Sequence, residues 1–511
     1  IQILHQLKYR LFPTHSLNSY LSPNRPNRVN KVSFAYSSKS RRVTTDYRSF
    51  EFLNLRKDFQ SQLEWDFSGF GKLWNYNLQY FECLSQTKVS VRLLEELLVD
   101  FYEWQKCRPN YLEPYPVSVR SINIVRFLSK YEEIETREAI AQYLYAELTF
   151  LNRRLEYHLL GNHLLENAFA LMIGGAYCSN DGWLRRGNNI LKKELNEQIL
   201  ADGAHFELSP MYHKIILFRL LELVDWYSRW PSKKESFLHF IRGKASGMRA
   251  WLENVSFRNG DIPHFNDSAN NVAYPVAWLL EYADKLSVPS SNVPLGASGY
   301  RSVRKGVYEA KIDFAQLGPN YQPGHAHADT LSFVLYCRDR PVFVDTGTST
   351  YEAGERRDIE RSTASHNTVT VGNRNQSEVY GAFRVAHRAK TFIIEDGPVR
   401  FAAWHNGYLK RDGVKHQRVF DFHDYEIKIT DTLNGSNSLD GIAHFHFHPT
   451  VDILIQENRI TIKDVGEMWF DNATLIKKQQ YFFASGFNKI LPAVVIRVTF
   501  EKKLTSYIRF D

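Results

Sequence analysis

The chain has 511 residues, of which 43% are hydrophobic and 14% aromatic, so it can bury large cores and its length favours two or more domains. This composition excludes disorder for most of the chain. The formal net charge of +8 and the pI near 9.0 favour an anionic partner. We expect no nucleic-acid partner, because there is no zinc-finger spacing or RNP-like strand and only one short basic tract, Lys39–Arg42. An acidic polysaccharide or oligosaccharide fits the charge as well.

Cysteine usage and hydropathy leave the compartment open. The four cysteines have no CxxC spacing, which indicates neither a disulfide framework nor a cysteine-based metal knuckle. No stretch approaches the roughly 18 to 20 apolar residues of a spanning helix, and the segment Ile1–Pro26 has no continuous apolar core of a signal peptide. We therefore expect a soluble protein without a transmembrane segment, either periplasmic or cytoplasmic, and of undetermined oligomeric state.

The first half of the chain is predicted to be helical. Residues 1–45 contain Pro13, Pro23 and Pro26 with little periodicity and are predicted to be an irregular arm. Apolar residues then recur at helical spacing, which predicts a helical domain over residues 46–290. On the last such segment we expect burial on most sides, because it carries few charges. The predicted helical segments are Val91–Trp104, Arg137–Tyr157, Asn162–Ala176 and Met211–Trp230.

The second half of the chain is predicted to form β-strands. The segment Leu286–Gly299 is rich in Pro, Ser and Gly and is predicted to be a linker or long crossover. Beyond it, Tyr425–Asp431 and Arg459–Lys463 alternate with a period of two, and turn-rich stretches such as Asn434–Asn437 separate the strands. We predict an antiparallel β-sandwich over residues 291–511, and a multidomain α+β chain as a whole.

A dense polar motif leads into one of these strands. His325, His327 and Asp329 crowd the segment Gly324–Phe333. Further on, Asp345 ends a short apolar strand and His366 precedes another strand. Two imidazoles and a carboxylate are ordinary zinc ligands, so His327, Asp345 and His366 could form a three-ligand site. The alternative is that these histidines are hydrogen-bonded within the sheet.

Two polar clusters occur in the helical half. Asn162, His163 and Glu166 share one helical face, either as a functional cluster or as a buried network between helices. Ser209 is predicted to cap a helix whose first residue is Pro210, which places Tyr212 in the first turn. The helix dipole there favours a phenolate and an anionic substrate, as a tyrosine acting as base and acid requires. The alternative is a core tyrosine with its hydroxyl bonded.

Several motifs in the same order resemble the heparinase II/III-like polysaccharide lyases, whose relatives include alginate and other uronate lyases. The resemblance implies an incomplete (α/α) toroid followed by an antiparallel β-sandwich, with the active cleft between them. The segments that carry it are Tyr115–Arg120, Gly161–Asn167, His205–His213, Gly260–Asp267, Gln322–Phe333 and Arg361–Val371.

The resemblance also implies roles for individual residues. Tyr212 looks like the catalytic tyrosine, with His325 as its partner, and Asn162 or His163 would neutralise the substrate carboxylate. Such a lyase eliminates across C4 and C5 of a uronic acid, which requires a base for the C5 proton, an acid for the leaving oxygen and donors around the carboxylate. Tyr212 could take both proton-transfer roles, or His325 could be the base for the other epimer.

The resemblance further implies that His327, Asp345 and His366 hold a structural zinc ion. Another set of polar residues falls in motif-like segments that could line a sugar cleft, although each could instead be structural. In contrast, His444, His446 and His448 alternate along one strand and are interpreted as a packed or solvent-facing ladder rather than ligands. The candidate substrate-binding residues are Glu166, Arg120, Asn123, Glu207, Asn266, Arg361, Trp404 and His405.

Two other functions compete with a lyase. A noncatalytic protein that binds or assembles acidic polysaccharide on the same fold would bind without turnover. A zinc hydrolase is suggested by the HxHxD pattern of His325–Asp329, but those enzymes place another histidine after the aspartate, where this chain has Thr330. The order of helices before strands also disfavours the hydrolase. The uronate epimer, the sulfation preference and endo or exo action stay open.

Overall fold

The computed structural model describes residues 16–21, 29–35, 44–46, 48–108, 112–435 and 439–511, with the backbone alone for 44–46. The three prolines of the predicted arm and the basic tract Lys39–Arg42 lie outside these residues. So does the second half of the predicted turn Asn434–Asn437.

The chain divides into two compact units. The toroid unit comprises the described residues up to Ile199, together with Ile216–Ala245 and Glu281–Val288. The sandwich unit comprises Leu200–Ile215, Ser246–Leu280 and Pro289–Asp511. The domain boundaries at residues 45 and 290 stay predictions.

The toroid unit is built from helices. Three helices, α7 (Pro210–Ser228), α8 (Glu235–Val255) and α9 (Val276–Lys285), contribute residues to both units. A small sheet of β1 (Thr44–Asp46), β2 (Ser49–Phe52) and β3 (Leu55–Asp58) precedes them all. The helices wholly within the unit are α1 (Lys72–Gln79), α2 (Val91–Lys106), α3 (Pro114–Lys130), α4 (Arg137–Arg153), α5 (Gly161–Tyr177) and α6 (Asp181–Gln198).

Local sequence explains where these helices begin. The Ser90 hydroxyl accepts a hydrogen bond from Leu93 N at 3.2 Å, which caps α2. Pro114 starts α3, where its missing N–H costs nothing. The four predicted helical segments are confirmed as α2, α4, α5 and α7. However, α4 ends at Arg153 rather than Tyr157, because the chain turns over residues 155–160.

The sandwich unit is built mainly from antiparallel strands, as predicted. Its largest sheet has eight strands, two further sheets have four strands each, and one sheet is a pair of strands. Two short helices, α10 (Glu355–Glu360) and α11 (Leu409–Asp412), interrupt the strands.

The strand bounds are as follows. They are β4 (Tyr300–Lys305), β5 (Tyr308–Asp313), β6 (Phe333–Cys337), β7 (Arg340–Phe343), β8 (Val369–Val371), β9 (Glu378–Tyr380), β10 (Arg384–Ala386), β11 (Thr391–Asp396), β12 (Arg400–His405), β13 (Val414–Phe422), β14 (Glu426–Gly435), β15 (Gly441–His446), β16 (Ile453–Gln456), β17 (Arg459–Ile462), β18 (Gly466–Asp471), β19 (Leu475–Gly486), β20 (Lys489–Phe500) and β21 (Lys503–Phe510). The eight-stranded sheet has the order β11-β12-β13-β14-β21-β18-β17-β16, and the four-stranded sheets have the orders β19-β20-β15-β8 and β4-β5-β6-β7. The remaining pair is β9 with β10.

Alternation along the strands forms the core of the sandwich unit. In β14, Ile427, Ile429 and Leu433 are buried while the residues between them are mostly half-buried. These side chains join one continuous apolar cluster with residues of β5, β6, β13, β15 and β21. The segment from Leu286 to Gly299 contains no strand and no helix, so the predicted linker is confirmed as irregular chain.

In the described part of the chain, no helix combines the length and the apolar character needed to cross a membrane.

Candidate functional site

Tyr212 lies in the first turn of α7, as the sequence predicts. The helix begins at Pro210, and the hydroxyl of Ser209 accepts a hydrogen bond from Tyr212 N at 3.2 Å. A second hydroxyl, that of Ser268, accepts from Met211 N at 3.3 Å. Two backbone donors of the first turn are therefore satisfied, which fixes the direction in which the helix starts.

The ring of Tyr212 packs against the imidazole of His325, with centroids 4.0 Å apart. The Tyr351 hydroxyl donates to the Tyr212 hydroxyl at 3.3 Å. Burial raises the pKa of Tyr212 well above its ordinary value. The resting phenol therefore keeps its proton at neutral pH and can act as an acid.

His325 is oriented by a buried carboxylate. Its Nδ1 lies 2.9 Å from Asp267 Oδ2, and the Asp267 backbone N–H donates to the His325 carbonyl at 3.1 Å. Because an ionised carboxylate only accepts hydrogen bonds, Nδ1 must carry the proton. The other ring nitrogen, Nε2, lies 3.9 Å from the nearest carboxylate oxygen of Glu207.

Asp267 stays ionised although it is fully buried. Burial alone would raise its pKa, but Arg357 and the two histidines hold that pKa well below its usual range. The Arg357 guanidinium binds both carboxylate oxygens, with Nη2 2.7 Å from Oδ2. The arrangement is a bidentate, charge-assisted pair.

The same carboxylate binds a second imidazole. His327 Nε2 lies 2.9 Å from Asp267 Oδ1, so it donates the hydrogen bond and leaves Nδ1 unprotonated. Asp267 thus specifies opposite tautomers for two histidines two residues apart: His325 exposes Nε2, and His327 exposes Nδ1.

Two of the candidate substrate-binding residues brace this arrangement from inside the sandwich unit. Asn266 donates to the Leu208 carbonyl and accepts from His327 N, both at 3.0 Å. Arg361 is fully buried and donates to carbonyls that include Ala326 O at 3.0 Å. The structure therefore assigns both side chains to holding the loop that carries His325, and a direct contact with sugar stays a prediction.

The toroid unit carries a second imidazole paired with a carboxylate. Every residue of α5 is buried except His163, whose side chain is 32% exposed. Its Nδ1 lies 3.0 Å from Glu156 Oε1, and its ring packs on Tyr115 with centroids 4.5 Å apart. The Glu156 carboxylate also accepts from Asn167 at 2.9 Å. The predicted neighbour Asn162 is only 5% exposed.

Glu166, on the same helix, belongs to a buried chain of charges. Arg219 donates to Glu166 at 2.7 Å and to Glu222 at 2.8 Å, and Glu222 pairs in turn with Arg126. Despite Arg219, burial raises the pKa of Glu166 above its ordinary value. This is the alternative that the sequence left open for this residue, a network between helices.

Arg120 and Asn123 also bind within the toroid unit. Arg120 is 1% exposed, pairs with Glu147 and donates to the Gln79 carbonyl at 2.9 Å. The guanidinium is therefore inaccessible as the structure stands. Asn123 donates to the Tyr80 carbonyl at 2.8 Å and lines a cavity of about 250 Å³.

Comparison with known proteins identifies the fold family. Residues 124–288 match the family described as Heparinase II/III N-terminus, and residues 288–501 match Heparinase II/III-like, C-terminal. Together the two matches cover well over half of the chain. The chain belongs to the heparinase II/III-like family. The family predicted from the motifs is confirmed.

Relatives of this heparinase II/III-like chain share modest sequence identity. A heparin-sulfate lyase of Bacteroides stercoris is 24% identical over 323 residues, which are 57% of this chain and 46% of the relative. A heparin-sulfate lyase of Bacteroides thetaiotaomicron is 26% identical over 308 residues, which are 51% of this chain and 42% of the relative. The chain spans less than half the length of these curated relatives.

Solved structures confirm the predicted fold class, an (α/α) toroid followed by an antiparallel β-sandwich. A heparinase III superimposes with a TM-score of 0.70 at 15% identity, covering 97% of this chain and 88% of that chain. A heparan sulfate lyase from Pedobacter heparinus has a TM-score of 0.58 at 18% identity, covering 89% and 80%.

Two of the three predicted zinc ligands of this heparinase II/III-like chain, His327 and His366, lie near each other. The rings of His327 and His366 have centroids 5.4 Å apart. His327 Nδ1 and His366 Nε2 are buried and lack a hydrogen-bond partner in the described part of the chain. Unsatisfied imidazole nitrogens are suitable donors for zinc.

Asp345 uses its oxygens differently from the prediction. Oδ2 lies 2.6 Å from His366 Nδ1, and Oδ1 accepts from Gly347 N at 3.0 Å. A carboxylate on the far nitrogen of an imidazole typically orients a ligand rather than binding the metal itself. Within the described ranges, no three His, Cys, Asp or Glu side chains are grouped as a metal site.

Two further candidates, Trp404 and His405, lie in β12 of the sandwich unit. Trp404 stacks on Phe392 with centroids 4.2 Å apart. His405 is fully buried: its Nε2 bonds His416 at 3.0 Å and its Nδ1 accepts from Gly407 N. Both ring nitrogens of His405 are thus occupied inside the protein, which leaves none to offer to a sugar.

Two members of the histidine ladder, His444 and His446, are packed in β15, whereas His448 lies beyond the end of that strand and bonds Thr450 at 2.8 Å. His444 and His446 are buried and stack with centroids 6.2 Å apart. His444 bonds Thr370 at 3.0 Å, and His446 bonds Asn367 at 3.2 Å.

Four residues that bond around Tyr212, His325 and His163 were not among the candidates predicted from the sequence. Asp267 follows the predicted Asn266, and Arg357 lies four residues before Arg361, so adjacency and helical spacing were available signals. Tyr351 and Glu156 had no such signal, because their partners lie elsewhere in the chain. The roles of all site residues in substrate binding and catalysis stay predictions.

Proposed function

We propose that this chain is a polysaccharide lyase that cleaves a uronic-acid-containing polysaccharide by β-elimination. The observation that carries the proposal is the ring contact of Tyr212 with His325, with one polar partner fixed on each: Tyr351 on the phenol and Asp267 on the imidazole. Relatives named heparin-sulfate lyase support the class of reaction and make heparan sulfate the first substrate to test.

In the proposed reaction, His325 Nε2 takes the C5 proton of the uronate. The electron pair of that bond forms the C4–C5 double bond, and the C4–O4 bond breaks. Tyr212 gives its proton to the departing O4, so that the products are a new hydroxyl end and a 4,5-unsaturated uronate. The raised pKa of Tyr212 supports its role as the acid. A substrate with both groups on one face would instead use Tyr212 for both transfers.

The carboxylate of the uronate needs donors, because charge accumulates on it as the C5 proton leaves. We assign this role to His163 or Asn162. His163 is supported by its exposure on an otherwise buried helix. In this role it is the imidazolium, which donates from Nδ1 to Glu156 and from Nε2 to the substrate carboxylate. Basic overall charge favours the approach of a polyanion.

We also propose a structural zinc ion held through His327 Nδ1 and His366 Nε2, with Asp345 as a ligand or as the group that orients His366. The two unsatisfied nitrogens support this proposal. A bound zinc ion would brace the loops next to His325, and no proton transfer passes through it.

The deciding experiment follows ultraviolet absorbance of the unsaturated uronate while the protein is mixed with heparan sulfate, hyaluronan, alginate or bacterial capsule. The wild type should produce absorbance with at least one polymer. Tyr212→Phe should abolish turnover and retain binding. The matched control is Tyr408→Phe, since Tyr408 is also buried and donates to a backbone carbonyl at 2.9 Å, away from His325.

Saturable binding with no absorbance change for any polymer would favour the noncatalytic alternative. Chain cleavage that is sensitive to chelators and creates no double bond would favour the hydrolase.

A further inference from the structure

We propose that Asp267 is the positioning residue of this site, and that it holds His325 in the tautomer that leaves Nε2 unprotonated. The inference rests on the proposed elimination, in which Nε2 is the base. Asp267 reaches no substrate in this scheme; it acts through His325.

Asp267 constrains His325 at two points. A backbone hydrogen bond of 3.1 Å joins the two residues, and a side-chain bond of 2.9 Å joins Oδ2 to Nδ1. A side chain held at both its backbone and its ring has little freedom to rotate, so the direction of Nε2 is set before substrate arrives.

No neighbour of Asp267 can take over this role. It is fully buried, and Arg357 occupies both of its oxygens from the other side. Arg357 has no acceptor to offer His325, because a guanidinium only donates. Removing the carboxylate would therefore leave Nδ1 without its acceptor and Arg357 without its counter-charge.

The short segment that contains Asp267 also fixes the start of the helix that carries Tyr212. The Asp267 carbonyl accepts from the Ser209 hydroxyl at 2.7 Å, and the Ser268 hydroxyl accepts from the first turn of α7. Residues 267 and 268 thus connect the helix start that carries the phenol with the loop that carries the imidazole. The distance between the phenol of Tyr212 and the imidazole of His325 is therefore set by this one segment rather than by two independent ones.

The sandwich unit contains a matched control for this arrangement. Arg418, Asp431 and His416 form a second fully buried triad, in which His416 Nε2 lies 2.7 Å from Asp431 Oδ1. Arg418 binds both oxygens of that carboxylate, at 2.7 and 3.0 Å. Asp431 likewise pairs with an arginine and orients an imidazole, although it binds one histidine where Asp267 binds two, and neither Tyr212 nor His325 bonds to it.

The test compares Asp267→Asn with Asp431→Asn. Both substitutions place an amide NH₂ where guanidinium and imidazole donors converge, so both should lower stability. Only Asp267→Asn should also lower kcat, on the order of 10²- to 10⁴-fold, with KM changed little, because an inverted tautomer presents an N–H to the C5 proton. The tautomer is read directly from ring ¹⁵N chemical shifts in histidine-labelled protein, with His325 assigned by its loss in His325→Gln.

The expected wild-type spectrum shows His325 protonated at Nδ1, and Asp267→Asn shifts the proton to Nε2. A wild-type His325 protonated at Nε2 would overturn the proposal, as would an Asp267→Asn enzyme that keeps the kcat of Asp431→Asn. If Asp267→Asn does not fold, the wild-type spectrum still decides. Absence of turnover by the wild type would count against the proposed function, and the tautomer would test the positioning role separately.

Discussion

The hydroxyls of Tyr351 and Tyr212 lie 3.3 Å apart, with Tyr351 as the donor. When Tyr212 gives up its proton in the proposed reaction, Tyr351 donates its hydrogen bond to a developing phenolate oxygen. A bond to a charged oxygen contributes more than the same bond to a neutral one. Tyr351 therefore has a role that appears only as the reaction proceeds.

Tyr351→Phe should lower kcat about 10- to 100-fold with little change in KM, because a hydrogen bond to a charged group contributes about 1.5–3 kcal/mol. Steady-state rates from ultraviolet absorbance check this, with Tyr408→Phe as the control. A rise in KM at constant kcat would instead show that Tyr351 binds the ground state of the substrate.

Arg219→Met should destabilise the protein by about 3–5 kcal/mol, because it leaves Glu166 and Glu222 buried without their shared partner. Urea unfolding measures this. The control Arg92→Ala removes an exposed ion pair with Glu96 and should change stability by less than about 1 kcal/mol.

The penalty of Arg219→Met should also depend on pH. Burial already raises the pKa of Glu166 above its ordinary value. Without Arg219, the penalty for the charged Glu166 should be full above its folded-state pKa and should vanish once the pH falls below its unfolded pKa. An equal penalty at pH 7 and at acidic pH would show that packing, not charge, causes the loss.

Lys311 should make stability rise with pH. This lysine is fully buried in β5, where it donates to Asn254 O at 3.1 Å and to Ser302 at 2.7 Å. Burial, then Arg304, lower its pKa to about 7, with Glu309 opposing and Arg258 adding to the shift. Between that value and the ordinary value of about 10.5, the unfolded chain binds a proton that the folded chain does not.

Wild-type stability relative to Lys311→Met should therefore rise from pH 7 towards pH 10, by up to about 1.4 kcal/mol per pH unit, and show no slope below pH 7. Urea unfolding at several pH values measures the difference. Lys503→Met, which removes an exposed lysine, serves as the control and should run parallel to the wild type. A falling difference would contradict the assignment of Lys311.

Zinc should copurify with the wild type at about one ion per chain. His327→Ala and His366→Ala should lose it, and a chelator should lower Tm of the wild type, because binding to the folded state stabilises that state. His444→Ala should retain the metal, since His444 bonds Thr370 instead. A metal-free wild type that cannot be reconstituted would show that the two histidines are satisfied without zinc.

Much of the fold followed from local pattern. The helical spacing of apolar residues located α2, α5 and α7 to within a few residues, and alternation located β14 and β17. The end of α4 did not follow, because Glu156 leaves the helix to bind His163 and Asn167. No property of residues 150–157 alone encodes those partners.

The candidate site also combines features that the sequence predicts with features that it does not. The start of α7 could be read from Ser209 and Pro210, since capping is a local interaction within four residues. The burial of polar side chains could not be predicted from the sequence. Three candidates chosen as polar residues in motifs are buried, with their donors or acceptors occupied inside the protein: Arg120, Arg361 and His405. A charged side chain indicates solvent or a partner, and only the tertiary structure decides which.

The sequence by itself determined the helix-then-strand order, the family, and the identity of Tyr212 and His325 as candidates, because these depend on residue type and short-range spacing. The tertiary structure alone decided what surrounds them. Asp267 is separated from His325 by 58 residues and from Arg357 by 90, so their meeting depends on chain closure over long loops. The tautomer of His325 is consequently a property of the folded protein, although each residue that sets it is plain in the sequence.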